Sequence, residues 1–210
     1  MTPGRVAFGL LAAGFLIQLV TILWGGAVYP GYDHARQYIS ELGATGSVTG
    51  PAVSWWGFVP SGLLIGAGCL MAAWLMRRSV LAAGSWVLLA WYGLTLAAAG
   101  VYPCAFECRR ADASFNALMH DLYGGTGYLT GIIGLALAAL AARREGRLRV
   151  AILGMICAGV AVVGFAGVIA EAEPGGLIQR MLEGSVALYI LTLGWTLMRS
   201  RAVPAAGGAS

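Results

Sequence analysis

The chain has 210 residues, 59% of them hydrophobic and 10% charged, with a mean hydropathy of +0.79. That composition excludes a soluble globular domain. The net charge of +4 comes from arginine alone, because the sequence contains no lysine. The few charges divide the chain into six apolar stretches at approximately 6–28, 52–76, 80–102, 121–142, 150–170 and 179–198. Each approaches the ~20 residues that cross about 30 Å of hydrocarbon. The expected fold is an all-α integral membrane protein, a single bundle of six transmembrane helices over 1–210 with no room for a separate soluble domain.

The arginines fix an orientation. Arg5, Arg77, Arg78, Arg143, Arg144, Arg147, Arg149, Arg199 and Arg201 fall at the two ends and in the gaps after spans two and four, with Glu145 the only acid among them. Arg36, Arg109, Arg110 and Arg180 fall in or beside the other gaps, with the remaining acids. The positive-inside rule then predicts cytoplasmic N- and C-termini for a multi-pass protein of the cell membrane. Segments 29–51, 103–120 and 171–178 face outward. The basic residues lie where anionic lipid headgroups would meet them, and nothing interleaves them with exposed aromatics. Membrane lipids are therefore expected partners and nucleic acid is not.

In chain order, the first stretch carries small residues at Gly25, Gly26 and Ala27, but its length and Gln18 favour an uncleaved helix over a signal peptide. After a Pro-Gly turn, Asp33 to Leu42 is predicted as a short surface helix ended by Gly43. Pro60 should kink span two, freeing carbonyls that need new partners. Tyr29, Tyr32, Tyr38, Trp55, Trp56 and Tyr102 suit an outer aromatic belt, and Trp74 and Trp195 an inner one. In span four, His120, Gly124, Gly127, Gly131 and Gly134 recur on one helix face, a pattern that lets backbones approach closely. A parallel stripe in span six runs through Arg180, Gly184, Ala187, Leu191 and Gly194. It turns Arg180 toward the outer half of the bundle, with Glu183 beside it. The tail 202–210 reads as a short flexible end.

The polar residues of the outer side are the candidates for chemistry. Cys104 and Cys108 lie in an outward loop, where an oxidising compartment favours a disulfide; free thiols and metal ligation are the alternatives. Cys69 and Cys157 read as small apolar residues within spans. His34 and His120 each have an aspartate next in sequence, Asp33 and Asp121, but neighbours on a helix point apart. Across the bundle, His34 could meet Asp121, and His120 could meet Asp33 or Glu41, as acid–base pairs or as hydrogen-bonded packing. Ser40 is a candidate nucleophile without a surrounding elbow motif, or else a residue that docks the surface helix. Glu171 and Glu173 read as a solvated rim. Neither a metal-ligand motif, a P-loop nor an Asp-rich diphosphate motif is present, so no cofactor and no metal are expected. Nor does any span carry a charge ladder.

Ser40-x-Leu42-Gly43, Pro103-Cys104-x-x-x-Cys108 with Ser114 and His120, and Gly176-x-x-x-Arg180 together resemble the bacterial and archaeal six-span family catalogued as domain of unknown function 998. The similarity runs from about residue 8 to 198. It implies a six-helix membrane protein whose polar signature (Ser40, Gly43, Cys104, Cys108, Ser114, His120 and Arg180) gathers on one face. It implies no particular reaction.

The reading these features favour is an outward-facing polar site at the membrane surface. It would bind, or modify by acid–base chemistry, a hydrophobic or amphipathic small molecule of lipid, polyprenyl or terpenoid type. His120, His34, Glu41 and Ser40 are the candidate catalytic residues, and Arg180, Asp33, Asp121 and Glu183 the candidate substrate contacts. Arg180 would meet an anionic or carbonyl group, and the cysteine loop would form a lid. The alternative is a non-catalytic transporter or exporter accessory or an immunity-type membrane protein. A haem or metal carrier using the two histidines ranks below both.

Overall fold

The computed structural model describes residues 1–108 and 114–199. Arg109, Arg110, Arg201 and the 202–210 tail lie outside the described residues. Six helices are long and apolar enough to cross a membrane: α1 (Pro3–Val28), α2 (Gly50–Leu75), α3 (Val80–Val101), α4 (Phe115–Arg144), α5 (Leu148–Ile169) and α6 (Gly175–Arg199). Each packs against its neighbours in sequence, and α1 packs against α6, so the helices close into a ring. An exposed belt that includes Leu16, Leu19, Leu23, Ile152, Ile156 and Val163 covers the outside, as a lipid-facing surface requires. The chain is a multi-pass membrane protein.

Lipid offers no hydrophobic force between helices, so contact rests on close packing of small residues. The α2/α3 crossing shows this. A Cβ on Gly62 would stand 2.6 Å from the Gly93 carbonyl oxygen, and one on Gly93 would stand 2.7 Å from the Gly66 nitrogen. The α4 glycine face behaves similarly: Gly127, Gly131 and Gly134 rest on Thr95, Tyr92 and Leu89 of α3, while Gly124 opens onto empty space.

Pro60 alters α2 by a local widening. Residues Val53–Phe58 form a π-helical turn immediately before it, with the Val59 N–H reaching back five residues to the Ser54 carbonyl. Proline lacks an N–H, and its ring crowds the carbonyl four residues earlier; the wider turn absorbs both. The Ser61 hydroxyl takes up the Phe58 carbonyl at 3.1 Å.

The segment after α1 differs from expectation. Residues 34–37 form a turn and a bend, and only Ile39–Gly43 forms a short 3-10 helix. A longer surface helix is prevented because this backbone serves other partners. Asp33 Oδ1 accepts from the Ala35 N–H at 2.8 Å, and the Ala35 and Arg36 carbonyls accept from the Leu177 and Gly176 N–H groups at 2.7 and 3.0 Å. Two of the open N–H groups that begin α6, those of Gly176 and Leu177, are thereby satisfied by this loop. Gly176 is required there, since a Cβ would stand 2.8 Å from the His34 carbonyl oxygen. Ile39, Leu42, Val53 and Phe58 form a small apolar cluster beneath the loop, apart from the main core.

α4 begins six residues before the predicted edge of span four. Ser114 caps it, accepting from the Ala117 N–H at 3.3 Å, so His120 and Asp121 belong to the second turn of the helix. Cys104 and Cys108 form a disulfide, with their Cα atoms 5.0 Å apart. The Cys104 carbonyl accepts from the Thr45 N–H at 2.9 Å, and the Ser40 hydroxyl lies 3.2 Å from the Cys108 sulfur. The disulfide loop is thus joined to the 3-10 segment at the same end of the bundle.

Candidate functional site

All six helices and the loops at the disulfide end contribute to one cavity of about 690 Å³. That lies within the ~300–1,000 Å³ typical of small-molecule sites. Its mouth carries Tyr38, Ser40, Glu107, Cys108, His120, Asp121, Glu171 and Glu173, and its floor Gln18, Tyr92, Tyr128 and Glu183; Phe58, Leu96, Phe165, Ile169 and Gln179 are among the residues that complete the wall. Five carboxylates line it, from Glu107, Asp121, Glu171, Glu173 and Glu183, and no arginine does so among the described residues.

The floor is a hydrogen-bonded cluster drawn from four helices. Glu183 of α6 accepts from the Tyr128 hydroxyl of α4 at 2.9 Å, from the Tyr92 hydroxyl of α3, and from Gln18 of α1. Gln179, one turn before Glu183, donates to the Tyr128 oxygen at 2.9 Å, and its carbonyl oxygen accepts from the Ile39 N–H at 2.6 Å. Glu183 lies eight residues into α6, or about 12 Å along its axis, and Tyr92 and Gln18 lie at similar depths from the same end. An ionisable group at such a depth carries a desolvation cost, which three neutral donors partly offset.

His120 sits at the mouth. Its Nδ1 donates to the Tyr102 carbonyl at 3.0 Å, and the Ala99 carbonyl also acts on the ring. Both carbonyls belong to the last turn of α3, where unpaired acceptors favour an N–H donor. Asp121 lies beside it and adds a Coulomb interaction.

The other predicted site residues are placed differently. Arg180 serves the loop over α6: its guanidinium donates to the Gln37 carbonyl at 2.9 Å, the Gly176 carbonyl at 3.0 Å and the Tyr32 hydroxyl at 2.7 Å. The same group lies 3.1 Å from His34 Nδ1. His34 packs edge-on against Tyr32, with ring centres 5.0 Å apart, and so belongs to this clamp and not to the cavity. Tyr32, expected in the aromatic belt, serves the clamp as well. Asp33 is exposed and faces Arg36 at 4.0 Å.

Glu41 is only 6% exposed, and its carboxylate accepts from the Tyr38 N–H at 2.8 Å and from Gln37 Nε2 at 2.9 Å. Burial holds this carboxyl above the ordinary carboxylate range, against the lowering effect of the two hydrogen bonds. The bonds at His34, His120, Asp33 and Glu41 thus join them to partners other than those foreseen. Ser40 reaches the cavity beside Cys108, and it is the sulfur, not an imidazole, that its hydroxyl meets.

The order of these elements, with the disulfide loop before the histidine helix and Gly176–Arg180 opening the last one, runs through nearly the whole chain. Residues 12–196 match the family described as protein of unknown function (DUF998). The chain belongs to that family. No curated protein and no solved structure matches it. In this DUF998 chain the residues that sequence reasoning missed are Gln18, Tyr92, Tyr128 and Gln179. The signal available was depth: each is a large hydrogen-bonding side chain within an apolar span, and Gln18, Tyr92 and Glu183 lie similarly far from one end. Among the described residues no group of three or more His, Cys, Asp or Glu is arranged to hold a metal.

Proposed function

We propose that the protein takes the polar end of an amphipathic membrane molecule, of lipid, polyprenyl or terpenoid type, into this cavity at the outward end of the bundle. The observation that carries the reading is the mixed wall: ionisable groups at the mouth, a hydrogen-bonded cluster at the Glu183 floor, and aromatic and aliphatic side chains such as Phe58, Leu96 and Phe165 beside them. Such a wall suits a molecule that is neither wholly polar nor wholly hydrocarbon. The outward orientation is read from the sequence, in which nine of the 13 arginines fall at the two chain ends and in the gaps after spans two and four.

His120 and Asp121 stand where a proton can be exchanged with the bound polar group. His120 supplies the acid–base function, since its ring is oriented by the Tyr102 carbonyl. Arg180 acts as the clamp of the covering loop, and Ser40 and the disulfide form one side of the mouth.

Comparison of membrane extracts from a strain lacking the gene, complemented with the natural chain or with His120→Ala, tests the reading. A precursor that accumulates without the gene and persists with His120→Ala supports modification at the site. Unchanged product structure with altered export favours the non-catalytic accessory reading instead.

A further inference from the structure

A second, almost wholly apolar groove of about 880 Å³ runs between α1 and α6. It is walled chiefly by Phe15, Leu16, Leu19, Ala187, Leu188 and Leu191, and Leu16, Leu19 and Leu188 are exposed on the lipid-facing surface. At its deep end the groove shares three residues with the loop-side cavity: Gln18, Ile39 and Glu183. Gln18 and Glu183 thus border both spaces. α1 and α6 are less tightly joined here than elsewhere in the ring; a side chain on Gly184, which lines the groove, would meet nothing within 4 Å.

We propose that the groove is a lateral entrance from the bilayer, and that its occupant is a long-chain amphiphile with an amine head. The hydrocarbon chain stays between α1 and α6 while the head passes Ile39 and Gln18 to reach Glu183. The inference rests on the cavity reading above and adds the route and the head-group class. Three observations argue for the occupant. The groove ends at residues that also line the polar cavity, which a plain lipid-packing surface would not do. Glu183, the one carboxylate lining the groove among the described residues, lines the cavity as well. Arg180, the cation at the groove's end, donates to two backbone carbonyls and the Tyr32 phenol, so it is not offered to an anionic head. Glu183 accepts from two phenols and an amide, all neutral donors, and a carboxylate has acceptor sites for a further one. An ammonium bound there would supply the missing countercharge, and charge-assisted hydrogen bonds are about twice as strong as neutral ones.

The test uses the full chain in lipid nanodiscs and an eighteen-carbon primary amine (~18 carbons, to match about half a bilayer) with a photoactivatable diazirine in mid-chain. The same chain ending in an alcohol or a carboxylate provides the comparison. Cross-linking by the amine should concentrate on α1 and α6 and exceed that by the carboxylate at least ~5-fold, a difference of about 1 kcal/mol. Gly184→Trp, which fills the groove, and Glu183→Gln, which removes the charge, should each cut the amine yield by a similar factor. Gly9→Trp, at an open position on α1 outside the groove, should leave the yield unchanged.

Equal labelling by all three heads, or labelling spread evenly over every lipid-facing helix, would overturn the proposal. So would cross-links joining α1 and α6 of two copies, which would make the groove an interface. If Gly184→Trp folds and still retains an amphiphile that His120→Ala loses, the lateral route fails while the cavity reading stands. If the natural chain retains none of the probes, both fail.

Discussion

The Tyr128 phenol of α4 donates to the Glu183 carboxylate of α6 across the interior of the bundle, at 2.9 Å. α4 and α6 are not neighbours in the ring, so this bond and the one from Tyr92 of α3 tie opposite walls together through one acidic side chain. Replacing Glu183 by Leu leaves two phenols and an amide without their acceptor. Interhelical hydrogen bonds in membranes average ~0.6 kcal/mol, so three should cost about 2 kcal/mol, and Glu183→Gln less because one carbonyl acceptor remains. Thermal unfolding of both variants in one detergent checks the order: natural chain, then Gln, then Leu.

Arg180 should prove to be the latch of the loop over α6. Arg180→Met removes charged hydrogen bonds to Gln37, Gly176 and Tyr32, each worth roughly 1.5–3 kcal/mol in buried settings and less where water competes. Backbone hydrogen exchange across 32–43 should rise several-fold, with little change in α2 to α4. Arg180→Lys should restore only part of the protection, because a point-charge ammonium cannot reproduce the guanidinium fork.

The same loop should tighten in acid. Burial raises the Glu41 carboxyl above its ordinary range, so the folded state binds the proton more tightly than the unfolded chain does. The resulting stabilisation is complete below the unfolded value near 4.5 and is lost as pH rises through the elevated folded value. After correction for intrinsic exchange rates, protection of 38–44 should fall between mildly acidic and neutral pH. Glu41→Gln should flatten that dependence.

Reduction of the Cys104–Cys108 disulfide should loosen the mouth without dissolving the bundle. A cross-link closing so short a loop contributes about 2 kcal/mol in the chain-entropy account. The loss should fall on the contacts that join the two loops, Thr45 to Cys104 and Ser40 to Cys108. The melting temperature should drop by a few degrees with reductant, and Cys104→Ser should match the reduced natural chain.

How far the sequence foretold this arrangement depended on the range of the forces involved. Span number and approximate position were legible because charge exclusion from hydrocarbon acts on each stretch separately; the α4 glycines were legible because helical periodicity is local. The cysteine pair was legible for the same reason. The destinations of Arg180, His34, Asp33 and Glu41 were not, because they depend on how a long loop folds over the start of α6. That fold is decided by backbone groups, such as the Ala35 and Arg36 carbonyls meeting Leu177 and Gly176, which no side-chain pattern reveals. Glu183 was visible only as a neighbour of Arg180. Its true surroundings required knowing that the ring closes, which brings Gln18, Tyr92 and Tyr128 from separate helices to one level.

The central claim is that the cavity between His120 and Glu183 holds an amphiphile. Native mass spectrometry of the chain, released from nanodiscs made with a bacterial membrane lipid extract, tests it most directly. The account predicts a retained small amphiphile on the natural chain, reduced at least ~5-fold by His120→Ala and by Glu183→Gln, the equivalent of about 1 kcal/mol in binding. Bare protein alone, or equal retention by all three chains, would contradict it.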